Sequence, residues 1–597
     1  MRTKAYIKPE ADLAKREKLE PLYDACKAIW KTTTEMNMIR ASAEIRSKPG
    51  WEDGLDNKTV REQWIAEIKS KQELNDKQAS YVISELFYYA KLQAAARSCG
   101  SDARPSVVDM LWYTDIPEDS GLAQEFNSSL SKMLETMPIA HYYRPARNQH
   151  DLLFEQIVDP SLYSLVYEST PILPKPMTSP QDALHLPSFG TVPGSIDGWR
   201  QAVRDLNASM TEKDKGNDSE QSEAAAASFV PFNERYLELT DPSARHWLPT
   251  DIYVNQDGSV DFRSYINNIH PEKHADMYVS ISKIISKAIP LLEQALTDWE
   301  HPRDLRIPYD YYNCLGFSTE HPAKLGGEFD VYSEEFDENA YDEAVDKWQY
   351  SMVNTTPDPE EFVEPKRPLV PYSLRNRNLQ VVVEITDKDV SVPDTASENI
   401  IATAVYYYDT RHKSPPSIEF LEAIESVFDS VVDAYDHLAC KALFGVETGN
   451  QGESYIQSAG CVGAKQGRLI CYPNVYEQER CFLDKRLRRL TIYFVDPSVR
   501  IVSTAIVPPQ QKDWWTKAAS PVPLPVSVLP LEIHGTMCKY IESLVSFDKA
   551  CKIFESPNGV SSVRYDKQKF SCSVYIGYMN CSDVEVIQSF LTRKPQN

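Results

Sequence analysis

The chain has 597 residues, too many for one ordinary core, so two or three structural units are expected. Its 63 Lys and Arg stand against 87 Asp and Glu, a net charge of -24 that repels phosphate backbones and anionic lipid and argues against nucleic-acid and membrane partners. A hydrophobic share of 42% with 33 tyrosines excludes a disordered chain.

The opening MRTKAYIKPEADLAKREK lacks the apolar centre of a signal peptide, and no apolar run reaches the roughly 18 residues of a spanning helix. Eleven cysteines form no CxxC pair and read as reduced thiols, so a cytoplasmic protein is expected. TVREQWIAEIKSK (Thr59–Lys71) and DKQASYVISELFYYAKLQAAAR (Asp76–Arg97) carry apolar residues at helical spacing, with Asp76 placed to cap the second. Residues 1–204 are therefore expected to be mainly helical. The polar, aperiodic stretch 205–230 reads as a linker or loop.

From 231 to 519 the pattern turns to strands. DIYVNQDGSVDF (Asp251–Phe262) predicts a hairpin around Asp257-Gly258. Met277–Glu300 predicts a helix that Pro290 kinks or divides. An acidic insert, 328–364, holds 13 acids against one lysine, with Tyr332, Phe336, Tyr341 and Trp348 interleaved. It reads as a solvated segment or as a docking surface for a basic protein partner. Strands are predicted at Leu379–Thr386, Asn399–Thr410, Gly467–Asn474, Arg489–Asp496 and Arg500–Val507, interrupted by a helix over 417–439 with Ser417 as its cap. Strands joined mainly by irregular loops favour an antiparallel barrel or jelly roll. Residues 520–597 read as an appended α/β segment.

Seven phrases in order carry a family resemblance: SVVDMLWYTD, VDPSLYSLVYEST, HWLPTDIYVNQDGSVDFRSYINNIHPEKH, LRNRNLQVVVEI, NIIATAVYYYD, GRLICYPNV and VDPSVRIVSTAIVPPQQKDWW. Together they resemble the fungal family known as domain of unknown function 4246, over roughly residues 50–518. That resemblance implies an α+β protein with a double-stranded β-helix (jelly-roll, cupin-like) core behind an N-terminal helical region. It also implies an Fe(II)/2-oxoglutarate oxygenase layout. Such a site needs two histidines and a carboxylate on one face of Fe(II), and a cationic side chain for the distal carboxylate of 2-oxoglutarate.

This chain departs from the layout. The expected histidine and carboxylate positions carry Ser391 and Pro393, and the second histidine position carries Gln478. Asp394 has no histidine beside it. The basic element survives as Arg486, Arg488 and Arg489, of which Arg486 and Arg488 are the candidates for holding a carboxylate. No metal or other cofactor is expected, and the favoured function is binding or iron-free transformation of a small molecule in fungal specialised metabolism. Glu398, Tyr407, Gln478 and Arg488 are the candidate pocket residues, acting through positioning and acid-base groups. Two alternatives stand beside it: an Fe(II)/2-oxoglutarate oxygenase with replacement ligands, for instance Glu398, Asp409 and His412, and a non-catalytic partner protein. HPEKH (His270–His274) reads as capping or surface histidines, and Cys471 as a small buried hydrophobe.

Overall fold

The computed structural model describes residues 30–136, 143–144, 154–186, 188–214, 231–232, 246–308, 314–325, 329–330, 332–334, 336–386, 398–409, 416–424, 436–445, 455–481, 487–516, 544–547 and 549–550. Near the N-terminus, α1 (Thr33–Arg46) and α2 (Lys58–Gln72) pack on α3 (Asp76–Ser98). The cap of α3 is Asn75, one residue ahead of the expected Asp76. The Asn75 side chain accepts from Gln78 N, and the Gln78 side chain accepts from Asn75 N, a reciprocal box that satisfies two donors at the helix start. Tyr88 and Leu92 enter the core, whereas Phe87 is exposed.

Two further helices cover the sheet, α4 (Leu122–Thr136) and, later in the chain, α6 (Ala275–Glu300). Between them, α5 (Ile196–Asp214) runs ten residues into the stretch expected to be a linker from 205 on. Its turns bury Trp199, Val203 and Leu206, apolar residues at helical spacing just ahead of the polar run. Residues 215–230 lie outside the described residues. α6 is one continuous helix with Pro290 inside it, and it buries Ile281, Ile285, Ala288 and Leu292. Among the described residues no helix is long and apolar enough to cross a membrane.

The strands are β1 (Arg104–Pro105), β2 (Trp112–Asp115), β3 (Tyr143–Arg144), β4 (Phe154–Val158), β5 (Thr250–Val254), β6 (Val260–Phe262), β7 (Leu315–Phe317), β8 (Met352–Asn354), β9 (Arg377–Thr386), β10 (Ile400–Asp409), β11 (Ser417–Ile424), β12 (Tyr455–Gly463), β13 (Arg468–Pro473), β14 (Tyr476–Cys481) and β15 (Arg488–Val495). A ten-stranded antiparallel sheet follows the path β1-β2-β13-β10-β15-β9-β4-β3, and β9 also pairs with β5 of the β5–β6 hairpin. A second, three-stranded sheet has the order β12-β11-β14. The fold is α+β as expected, but the large sheet is open and no closed barrel exists among the described residues.

Two expected elements are overturned. The helix expected over 417–439 is, in its first part, the strand β11, paired with β12 on one side and β14 on the other. Its sequence SIEFLEAI also fits a period of two, with Ile418, Phe420 and Glu422 buried and Ser417, Glu419 and Leu421 half-buried. Two ladders outweigh a helical reading that the same residues also allow. Helix α8 starts only at Asp436 and ends at Phe444. The strand expected at Arg500–Val507 is a run of buried turns. Ile501 N donates to Gln380 Oε1 (2.8 Å) and Thr504 N to Pro249 O (2.9 Å), while Leu173 N and Met177 N donate to the carbonyls of Ile506 and Ala505. Every one of these partners is distant in sequence, so the segment needs no ladder.

The acidic insert holds α7 (Glu338–Gln349), whose Trp348 stacks on Phe317 of β7 at 3.8 Å, while β7 pairs with β8. Lys91–Glu364 and Lys77–Asp358 ion pairs tether its C-terminal part to α3. The insert is therefore partly packed, with Tyr332 and Tyr350 left exposed.

Past the buried turns, Gln510 Nε2 donates to Tyr163 O (2.8 Å), and Gln511 Nε2 reaches Asn267 Oδ1 and Asn268 Oδ1. Trp514 lies 5.0 Å from the His270 ring, so this stretch closes the fold over the HPEKH turn. His270 and His274 are buried, and His274 Nε2 meets Thr136 Oγ1 at 2.9 Å. Burial, with Lys273 adding to it, pushes both imidazoles down to about 4. A folded-state value below the unfolded one means the unfolded chain binds more protons between about pH 6.5 and 4. Stability is therefore expected to fall as pH drops through that window, by at most about 1.4 kcal/mol per unit for each histidine. Urea midpoints at pH 7, 5.5 and 4.5 check this. The His270→Gln/His274→Gln double variant should show a flatter profile, and an equally steep one would refute the assignment.

Candidate functional site

The two faces of the large sheet differ in chemistry. One face, carrying Ala404, Tyr406 and Tyr408 of β10 with Leu490, Ile492 and Phe494 of β15, lies under the helices. Phe126 of α4 sits 6.3 Å from the Tyr406 ring and 4.9 Å from the Tyr408 ring. Cross-strand register assembles a different set on the opposite face. Tyr407 of β10 stands opposite Arg489 of β15, which stands opposite Thr386 of β9. One step along, Thr491 stands opposite Glu384, and Thr403 lies between Tyr472 and Tyr493.

All of these polar residues are buried. The Tyr493 hydroxyl donates to Glu384 Oε2 at 2.8 Å. The hydroxyls of Tyr407 and Thr491 have no hydrogen-bond partner among the described residues. Leaving a buried hydroxyl unpaired costs about 1–3 kcal/mol, so such a face calls for an occupant that satisfies it. Burial raises the Tyr407 phenol well above its ordinary value, only partly opposed by Arg489 and Arg468, so it is a neutral hydrogen-bond donor. The small sheet lies against this face through Phe420 of β11, whose ring is 5.1 Å from Tyr472 and 6.1 Å from Tyr476. A cation, neutral hydroxyls and a carboxylate held by a tyrosine make an interior suited to binding an anion by hydrogen bonds.

The residues expected from sequence are scattered around this interior. Tyr407 lies in it. Arg488 does not: it is on the other parity of β15, at the strand edge, where it pairs with Asp409 Oδ2 at 3.3 Å. The inward cation is Arg489, one residue on, because successive strand residues face opposite ways. Glu398 is buried just ahead of β10 and accepts from Trp247 N at 2.9 Å, which gives its carboxylate a structural use. The backbone of Gln478 lies on β14 opposite Phe420. Arg486, Ser391, Pro393, Asp394 and His412 lie outside the described residues.

Arg489, Thr491, Glu384 and Tyr493 were missed as a set, although the alternation in RRLTIYFV carries the signal once the inward parity is known. Among the described residues no group of three or more His, Cys, Asp or Glu is arranged to hold a metal ion. Among the described residues no histidine stands on the polar face, Glu384 is held by Tyr493 and Glu398 by a backbone amide. The described residues therefore do not fit the two-histidine, one-carboxylate iron site that the family resemblance implies. Cys471 is buried on the helix-covered side of β13, and burial drives its thiol well up, as befits a core residue.

No curated protein and no solved structure shows significant similarity to the chain. The family model of DUF4246, described as a protein of unknown function, matches residues 76–518, and the chain belongs to that family.

Proposed function

We propose that the chain binds a small carboxylate-bearing molecule in the polar interior between its two sheets, holding it by hydrogen bonds where an oxygenase would use iron. The observation that carries this reading is the pair of buried hydroxyls of Tyr407 and Thr491, without a partner among the described residues, on the face that also bears Arg489. Ser391, Pro393 and Gln478 at the ligand positions implied by the resemblance support the same reading from sequence. Any chemistry on the ligand would then rest on positioning and on neutral donors.

Calorimetry with 2-oxoglutarate and succinate, run anaerobically with and without Fe(II), tests it. At least one of the two is expected to bind equally with and without Fe(II), and Arg489→Gln is expected to weaken it about 10-fold or more. Binding that requires stoichiometric Fe(II), with turnover of 2-oxoglutarate, would establish the oxygenase reading instead. Failure of both acids to bind would remove the proposal. A second reading, a partner protein that docks through its acidic insert, is supported by the exposed Tyr332 and Tyr350 among thirteen acids.

A further inference from the structure

Away from the sheet interior, a cleft opens between the C-terminal half of α3, the turn from Pro105 to Trp112 and the segment that follows α6. Its cavity volume is about 60 Å3. One water needs roughly 10–15 Å3 on this measure, so there is room for a small polar head group. Tyr88, Tyr89, Asp109, Arg303 and Trp112 line it.

The charges in the cleft are unevenly spent. Asp298 is closed off, since it accepts from Trp112 Nε1 at 2.6 Å and pairs with Arg367. Arg303 donates through Nη1 to Tyr89 Oη (2.6 Å) and meets Glu85 Oε1 at 3.0 Å, but its Nη2 is buried without a hydrogen-bond partner among the described residues. The guanidinium lies 5.5 Å from the Tyr88 ring centre, and the Tyr88 hydroxyl is likewise buried and unpartnered, on a residue only 3% exposed. Both residues line the cleft, and among the described residues neither donor has a partner.

Asp109 supplies the opposite character. Burial alone would raise its carboxyl, yet Lys31, Arg306 and Arg303 outweigh that and hold it below the usual carboxylate range. Lys31 Nζ is 3.7 Å from Oδ2, and 16% of the Asp109 side chain remains exposed. The next residue, Met110, also lines the cleft and has φ +58°, a conformation that costs a non-glycine residue energy and persists where surroundings enforce it.

A simple anion would satisfy Arg303 but meet the Asp109 carboxylate. A simple cation would satisfy Asp109 and leave Arg303 Nη2 and Tyr88 Oη idle. A head group with both charges on neighbouring atoms satisfies each. We propose that this cleft binds a small α-amino acid, its carboxylate on Arg303 Nη2 and Tyr88 Oη, its ammonium on Asp109, and its side chain along Leu92 and Val108.

Isothermal titration calorimetry of the full chain with L-leucine, N-acetyl-L-leucine and L-leucinamide tests the assignment. L-Leucine is expected to bind one to one, and each capped derivative to bind about 10-fold or more weakly, because each lacks one charged end. Tyr88→Phe removes only a hydroxyl without a partner, so it should weaken leucine by roughly 10-fold while leaving the melting temperature unchanged. No binding of leucine or any other standard amino acid at millimolar concentration would overturn the proposal. So would equal affinity for the acetylated form, or undiminished affinity in Tyr88→Phe.

Discussion

Replacing Arg306 with methionine is expected to destabilise the chain by about 3–5 kcal/mol, because it takes the ion-pair partner from buried Glu35 and leaves buried Glu85 with Arg303 alone. The Arg306 guanidinium is 2% exposed and lies 3.6 Å from Glu35 Oε1 and 2.9 Å from Glu85 Oε1, and each of those carboxylates is 1% exposed. Burial already raises the Glu35 carboxyl, with Arg306 the main opposing influence. Without Arg306 that rise must grow. A carboxyl whose folded value exceeds its unfolded value contributes stability at low pH and loses it as pH climbs through the folded value. The defect of Arg306→Met should therefore shrink as pH falls toward the ordinary carboxylate range. Adding Glu85→Gln to the same chain should recover part of the loss. Chemical denaturation of the three chains at pH 7 and pH 5 checks both statements, and a loss below about 1 kcal/mol at pH 7 would show that the network is not needed.

The second large effect belongs to the contact between the sheets. Phe420→Ala removes a fully buried ring that touches Tyr472 of the large sheet and Tyr476 at the start of β14. Truncating a buried phenylalanine costs about 3–5 kcal/mol through lost transfer energy and the cavity left behind. The damage should also be local. Amide exchange in β11 and β12 is expected to accelerate far more than in β10, whose opposite face is anchored under α4 and α6. Uniform acceleration across both sheets would show that Phe420 supports the whole core and is not a hinge pin for the smaller sheet. Because Tyr472 and Tyr407 share the polar face, the variant should also weaken any ligand held there.

Local signals in the sequence were read well where the pattern and the packing agree. The helices expected at Thr59–Lys71 and Asp76–Arg97 lie within Lys58–Gln72 and Asp76–Ser98, and the turn at Asp257-Gly258 joins β5 to β6 with Gly258 at φ +87°. The four strands β9, β10, β13 and β15 stand within a residue or two of their expected positions. Segment 417–424 failed because Ile418, Leu421 and Ile424 fit a helix while Ile418, Phe420 and Glu422 fit a strand. Only the presence of two partner strands decides between them. Arg489 was seen, but a parity choice separates it from Arg488, and parity depends on which face of the sheet the helices cover. The Lys31, Asp109 and Glu422 cluster was beyond reach, since nothing local in any of the three marks it as buried.

That cluster sets a timing problem for synthesis. Lys31 Nζ meets Glu422 Oε2 at 3.2 Å across 391 residues of chain, and its amide meets Gln457 Oε1 across 426. At roughly 5–20 residues per second, a ribosome would make Lys31 about 20–80 s before Glu422 exists, with Asp109 as the earlier of its two counter-charges. During that interval α1 can pack on α3 with Asp109 facing the ammonium, but the side that β11 will cover stays wet. The strand that completes them is also the one that closes over the polar interior. Release of the nascent chain before β11 emerges would then leave an unsealed helical unit, and that species is the one a chaperone should be found holding.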